Sequence, residues 1–116
     1  MPEKVALVVF NGELMCFMHV LLNALDMEKR GYNVKVIIEG AATRLLSQLP
    51  DEKTPLSKQY TEVKEKGLID CVCQACAAKM GSVDAVNAQK LPLCNEMAGH
   101  PSLAKYIEQG YRIIIF

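Results

Sequence analysis

Segments of strand length that are rich in apolar residues recur along this chain, separated by longer segments in which apolar residues have helical spacing. The strand-length segments lie at residues 4–10, 33–38, 68–73 and 111–116. The first of them is an uninterrupted apolar run after Lys4, and such runs are typical of parallel strands that are covered on both faces. The alternation of strands and helices predicts an α/β fold, a three-layer sandwich around a mostly parallel sheet of about five strands.

Glycine and proline residues mark the predicted helix boundaries. The first helix follows Asn11-Gly12-Glu13, and the last is expected to begin at His100-Pro101. Proline is favoured at the first position of a helix, so Pro55 and Pro101 are predicted to occupy that position in their helices. The predicted helices end at or before these residues: Gly31, Pro50, Gly67, Gly81 and Gly110.

The first helix is apolar over most of its circumference. Its polar residues form a narrow stripe that includes His19 and Asn23, and Cys16 lies at the N-terminal end of that stripe. One sheet face cannot cover so much apolar surface, which favours a subunit interface and therefore a homo-oligomer. The alternative is a helix wedged between the sheet and another helix of the same chain.

Length and composition narrow the class of protein. A chain of 116 residues predicts a single domain over residues 1–116. The formal charge is zero and no basic stripe interleaved with aromatic residues occurs, so no nucleic-acid partner is expected. The apolar runs are shorter than the roughly 20 residues of a membrane span, and no signal-peptide pattern is present. We therefore expect a cytoplasmic protein without a membrane partner.

Five cysteines are an odd number for a chain without an export signal, and this favours free thiols over a disulfide framework. Three of them fall at the predicted strand-to-helix junction within residues 68–81. Reactive groups of parallel sheets collect at the carboxyl ends of the strands, where the next helix presents its N-terminus. We expect Cys73 at the strand end and Cys76 in the first helical turn to have lowered pKa values. Cys71 is expected to pack in the core.

Other polar residues are predicted to lie near Cys73, at the same edge of the sheet. Asn11 follows the first strand, whereas Glu39 and Arg44 follow the second. The carboxyl ends of neighbouring parallel strands meet at one edge of the sheet, so these side chains are expected near Cys73. Cys16 is expected there as a resolving thiol.

The strand ending in Cys73, the short Ala-rich helix with Lys79 and Gly81, and the closing strand 111–116 resemble the DsrE/DsrF-like family of small sulfur-relay proteins. The opening strand, the Glu39-Gly40-Ala41 turn and the segment 101–104 are similar as well. The resemblance implies a DsrE-like, flavodoxin-like topology in which residues 91–94 form a fourth strand. It also implies sulfur donor and acceptor proteins as partners.

In sulfur-carrying members of that family, the cysteine eight residues before the helix-ending glycine holds a persulfide, and Cys73 occupies that position. The resemblance thus implies a sulfurtransferase that carries sulfane sulfur on Cys73 without a cofactor. The predicted positions of the neighbouring residues add Cys76 as helper or resolving thiol and Arg44 as a cation that offsets the persulfide's charge. Cys71 and Cys76 are additions to the pattern of the simplest carriers.

Three alternatives to sulfur relay remain open. Cys73-x-x-Cys76 at a helix start has the spacing of thiol-disulfide redox proteins. The same pair with Cys94 and His100 would supply a tetrahedral Cys3His zinc site. A fold of this class also accommodates a non-catalytic, oligomeric regulatory protein.

Overall fold

The computed structural model describes residues 3–116 as an α/β sandwich in which every pairing of the five-stranded sheet is parallel. The elements are, in chain order, β1 (Lys4–Val9), α1 (Leu14–Lys29), β2 (Asn33–Ile38), a 3₁₀ helix (Gly40–Ser47), α2 (Ser57–Glu65), β3 (Ile69–Cys73), α3 (Gln74–Lys79), α4 (Val83–Ala88), β4 (Leu93–Cys94), α5 (Leu103–Glu108) and β5 (Arg112–Ile115). The strand order in the sheet is β4-β3-β2-β1-β5. The predicted α/β class and five-stranded, mostly parallel sheet are therefore confirmed. The flavodoxin-like topology was wrong, because that topology has the strand order 2-1-3-4-5, whereas here β2 lies between β1 and β3.

The apolar run of β1 is buried on both faces, as its composition predicted. Leu7 and Val9 pack in the same cluster as Phe17 of α1, whereas Ala6 and Val8 pack with Tyr106 of α5. Successive side chains of a strand point to opposite faces, so β1 contacts one helical layer on each side. This arrangement places helices on both sides of the sheet.

The first helix is covered only in part. Phe17, Val20 and Leu21 are buried, and α1 packs against α2 as well as against the sheet. The contact with α2 matches the alternative interpretation, in which another helix of the chain covers the excess apolar surface. Met15 and Leu22 are nevertheless 70% and 45% exposed. Within residues 3–116, no helix has both the length and the apolar character needed to cross a membrane.

Several predicted helix boundaries were wrong. The short helix expected after β2 is present as a 3₁₀ helix, but α2 begins at Ser57 rather than at Pro55. The last helix begins at Leu103, so Pro101 is not its first residue. The cause lies in residues 97–100, where the backbone N–H groups of Met97 and His100 each donate to the other's carbonyl at 2.9 Å and hold a turn before the helix.

The prediction of free thiols throughout was wrong, because Cys71 and Cys94 form a disulfide with a Cα–Cα distance of 5.7 Å. Parallel pairing sets Cys94 opposite Cys73, which brings it close to Cys71 two residues back along β3. Cys71 does lie in the core, but not as a thiol. The bond ties the central part of β3 to an edge strand of two residues.

Candidate functional site

Cys73 belongs to two elements at once. It is the last residue of β3 and the N-cap of α3, and its extended backbone (φ −61°, ψ 118°) turns the chain from strand to helix. Its sulfur accepts a hydrogen bond from the backbone N–H of Cys76 at 3.4 Å. An N-cap side chain that accepts a hydrogen bond from a backbone N–H of the first helical turn is held in one position by that bond. The predicted strand-to-helix junction is present at these residues.

Three side chains converge at this junction. The Cys73 Sγ lies 3.0 Å from the Cys76 Sγ and 3.1 Å from the His100 Nδ1, and the Cys76 Sγ lies 3.8 Å from the same nitrogen. Cys73 is fully buried, whereas Cys76 and His100 are half-buried. Cys73, Cys76 and His100, referred to below as the thiol-imidazole cluster, therefore combine two sulfur nucleophiles with one base.

A strained turn delivers His100 to the thiols. The Ala75 N–H donates to the Gly99 carbonyl at 2.9 Å, which ties the turn to α3. Gly99 has φ +92°, and a Cβ added there would come within 3.1 Å of the Ala75 Cβ. This position therefore requires both a positive φ and a close approach to Ala75, and glycine is the residue suited to both. Ala98 also has a positive φ, 51°.

Glu39 lies close enough to the cluster to interact electrostatically with His100 and Cys73. It follows β2, is 5% exposed, and is held by its N–H, which donates to the Val9 carbonyl at 2.8 Å. Burial raises the pKa of Glu39, and the charge of His100 opposes that rise. The Glu39 carboxylate in turn helps to raise the pKa of Cys73.

The expectation of a lowered pKa at Cys73 was wrong. Burial is the largest cause of a pKa raised to about 12, and the side-chain hydrogen bond with Cys76 raises it further, while the Cys76 backbone N–H lowers it. A helix of six residues offers little compensation for complete desolvation. Cys73 therefore rests as a thiol, and the His100 Nδ1 is the base placed to accept its proton.

The cluster is reached from solvent through a pocket of about 370 Å³. Cys76 lies in its wall, and Cys73 lies behind Cys76 in the sheet. Lys79 contributes an exposed ammonium group to the rim, which favours an anionic sulfur species. The complete lining is Gly40, Ala75, Cys76, Lys79, Met80 and His100.

The structure gives contacts or surroundings for the other predicted site residues. Arg44 donates from Nη2 to the Gly12 carbonyl at 3.2 Å, and the Asn11 Oδ1 accepts from the Glu13 N–H at 2.8 Å, so both support the turn after β1. Cys16 is a half-buried free thiol in the first turn of α1 and is not part of the cluster. The alternative Cys3His zinc site was wrong in its third sulfur, because Cys94 is bonded to Cys71 and is not available to a metal.

Sequence reasoning did not anticipate the base. His100 was considered for a metal site and for a helix start, but its approach to Cys73 depends on the turn at residues 97–100. Gly99 was the available signal, since glycine is common where φ is positive. Ala98 gives no such signal in the sequence.

Replacing Glu39 by glutamine is expected to speed alkylation of Cys73. Burial is the largest cause of the raised pKa of the thiol and the Glu39 charge a smaller one, so removing that charge should increase the thiolate fraction at pH 8 by less than about tenfold, the equivalent of one pKa unit. Iodoacetamide labelling is measured from pH 7 to 11 in chains that carry serine at Cys16 and Cys76. With Glu39 present, the rate should keep rising above pH 9, because a raised pKa retains the proton to higher pH.

The matched control for that experiment is Glu13→Gln, at an exposed position in the same background. It should leave the profile unchanged. A lower alkylation rate in Glu39→Gln would contradict the assigned electrostatic effect.

Comparison with known proteins gives one family. The sequence profile of the DsrE/DsrF-like family matches residues 4–116. An uncharacterized protein of Methanocaldococcus jannaschii is 36% identical over 117 residues, which cover 96% of this chain and 93% of that protein. An uncharacterized protein of Archaeoglobus fulgidus is 44% identical over 43 residues, 37% of this chain and 70% of that protein.

A solved structure has the same fold. A conserved protein of unknown function from Bacteroides thetaiotaomicron superposes with a TM-score of 0.76 and covers 98% of this chain and 95% of its own. Its sequence identity is 18%, so the likeness concerns the architecture alone.

Proposed function

The chain belongs to the DsrE/DsrF-like family, and we propose that it is a sulfur-relay protein that accepts sulfane sulfur as a persulfide on Cys73 and passes it to an acceptor. Membership of the family suggests a sulfur-relay role. The observation that carries the assignment to Cys73 is the 3.1 Å approach of the His100 Nδ1 to its sulfur. Cys73 is also the cysteine eight residues before Gly81, as in the sulfur-carrying members.

Sulfur uptake follows from this geometry. His100 accepts the Cys73 proton at Nδ1, and the resulting thiolate attacks the terminal sulfur of a donor persulfide. A new bond forms between the Cys73 sulfur and the sulfane sulfur, while the bond to the donor breaks and the donor leaves as a thiolate. The imidazolium then returns its proton to the leaving donor.

Transfer to an acceptor is the reverse reaction with a different thiolate. The acceptor attacks the sulfane sulfur and Cys73 leaves. The pocket beside Cys76 provides access, and Lys79 at its rim stabilises the persulfide anion that enters or departs. Both steps exchange one sulfur atom between thiols and need no organic cofactor.

A second candidate is a zinc site formed by Cys73, Cys76 and His100, whose ligand atoms all lie within 4.8 Å of one another. In a tetrahedral zinc site, neighbouring S and N ligands are separated by about 3.5–3.8 Å, given Zn–S of about 2.3 Å and Zn–N of about 2.0 Å. The two sulfurs, now 3.0 Å apart, would need to separate by less than about 1 Å. Three protein ligands leave the fourth position to water, as in catalytic zinc sites.

The partners and setting of the protein follow from the proposed relay. We propose sulfur donor and acceptor proteins as partners, self-association through the exposed residues of α1, and a cytoplasmic location without nucleic-acid or membrane binding. Met15 and Leu22 support self-association, because large exposed apolar side chains favour an interface. The single-domain organisation over residues 1–116 remains part of this proposal.

The experiment that tests this function compares sulfur uptake by the wild type and by His100→Ala. The variant lacks the base, so uptake from a small persulfide donor at pH 7 should slow by about 10²-fold, the lower range for general-base catalysis. Intact mass spectrometry follows the gain of one sulfur atom and its reversal by a thiol reductant. His19→Ala, at the exposed histidine of α1, is the matched control and should match the wild type. Equal rates in all three chains would contradict the role of His100.

A further inference from the structure

We propose that a persulfide on Cys73 is discharged inside the chain by Cys76, which releases hydrosulfide and leaves a Cys73–Cys76 disulfide. This rests on the proposed function, since it requires the Cys73 persulfide as its starting point. It adds a second fate for the bound sulfur. In the absence of an acceptor, the protein acts as a persulfide reductase.

The placement of the two sulfurs carries the inference. The Cys76 Sγ lies 3.0 Å from the Cys73 Sγ, and both residues belong to the junction between β3 and α3. Cys73 is fully buried, so a thiol from solvent has to pass Cys76 to reach the inner sulfur of the persulfide. Cys76 is already in contact with that sulfur, and proximity of this kind gives the internal reaction a large advantage.

The backbone also allows the product. Residues three apart in a helical turn have Cα atoms about 5 Å apart. Disulfides span Cα separations of roughly 4.4–6.8 Å. Cys73 caps α3 and Cys76 is its third residue, so the bond can form without breaking the helix.

Atoms and electrons balance in this step. Cys76 loses its proton to the His100 Nδ1, which lies 3.8 Å from its sulfur, and the thiolate attacks the Cys73 sulfur. The Cys73–sulfane bond breaks and the sulfane sulfur leaves as hydrosulfide with the persulfide's own proton. The sulfane sulfur gains two electrons, and the two cysteines lose them as their disulfide forms. Regeneration requires an external dithiol, or two monothiols, which reduces that disulfide.

The pocket is suited to this departure. Hydrogen sulfide is a stronger acid than an alkyl thiol. Hydrosulfide is therefore the better leaving group, because sulfur anions with more acidic conjugate acids leave faster. The Lys79 ammonium at the rim favours exit of an anion. An acceptor protein therefore competes with Cys76 for the bound sulfur, and the outcome depends on whether the acceptor is docked.

The test loads the full chain with glutathione persulfide in the presence of chelator, removes the excess, and follows the intact mass together with a hydrosulfide assay. The wild type should release one hydrosulfide per loaded chain and lose two hydrogens from its starting mass. Cys76→Ser should keep the added sulfur at least about tenfold longer, because the internal nucleophile is absent. Cys16→Ser is the matched control and should behave like the wild type.

The outcomes separate the two claims. If neither the wild type nor Cys76→Ser gains sulfur, the proposed function fails and this inference fails with it. If both chains gain sulfur and keep it equally long without hydrosulfide release, only the discharge is overturned. If Cys76→Ser does not fold, peptide mapping of the loaded wild type decides whether the discharge occurs. A Cys73–Cys76 linkage supports the discharge, and its absence overturns it.

Discussion

Replacement of Cys73 by serine is expected to reduce sulfur uptake to the background of a chain with no persulfide. The hydroxyl of serine does not form a persulfide. The remaining thiol of the cluster, Cys76, acts on the Cys73 sulfur of an existing persulfide, and that step is absent when Cys73 is replaced. Intact mass spectrometry after exposure to a persulfide donor measures the change. We expect no reductant-reversible gain of sulfur in this variant.

Cys16→Ser provides the matched control for that result, since Cys16 is a free thiol outside the cluster. It should gain sulfur as the wild type does. Normal uptake in Cys73→Ser together with loss of uptake in Cys76→Ser would reverse the roles of the two cysteines. Far-ultraviolet circular dichroism checks that each variant retains its α/β structure.

Removal of the Cys71–Cys94 disulfide is expected to destabilise the protein by about 3 kcal/mol. The bond closes a loop of sequence separation 23, and loops of this size restrict the unfolded chain by roughly that amount. For a chain of this length, the loss corresponds to a decrease in melting temperature on the order of 10 °C. The double variant Cys71→Ala/Cys94→Ala is compared with the wild type by urea and thermal unfolding without reductant.

Two controls accompany that measurement. Cys16→Ala should unfold close to the wild type, and thiol titration of the denatured wild type should find three free thiols, those of Cys16, Cys73 and Cys76. Five titratable thiols in the wild type, or an unchanged stability in the double variant, would contradict the disulfide. The turn that carries His100 follows β4, so we also expect slower sulfur uptake in the double variant.

The architecture was predictable because it depends on local patterns. Continuous apolar runs such as 4–10 predict parallel strands covered on both faces, and Leu7 and Val8 are indeed fully buried. The strand-to-helix junction at Cys73 was predictable for the same reason. The influence of Glu39 on Cys73 was also predictable, because neighbouring parallel strands end at the same edge of the sheet. In the structure, the Glu39 charge contributes to the raised pKa of Cys73.

The remaining features depend on long-range register and burial. The Cys71–Cys94 bond requires the pairing of β3 with β4, which Pro92 obscures because it lacks an N–H donor. The pKa of Cys73 depends on complete desolvation, and a helix N-terminus in the sequence does not report how deeply the strand end is buried. His100 was difficult to assign because an unusual turn, rather than a helix start, determines its position.

The most direct test of the central claim is to locate the sulfur after a brief exposure to a persulfide donor. The wild type and Cys76→Ser are quenched early with an alkylating agent, digested and mapped by mass spectrometry. We predict one additional sulfur atom on Cys73 in both chains, persisting longer in Cys76→Ser. An added sulfur on Cys16 or Cys76 with an unmodified Cys73, or no added sulfur on any cysteine, would contradict the assignment of Cys73 as the sulfur carrier.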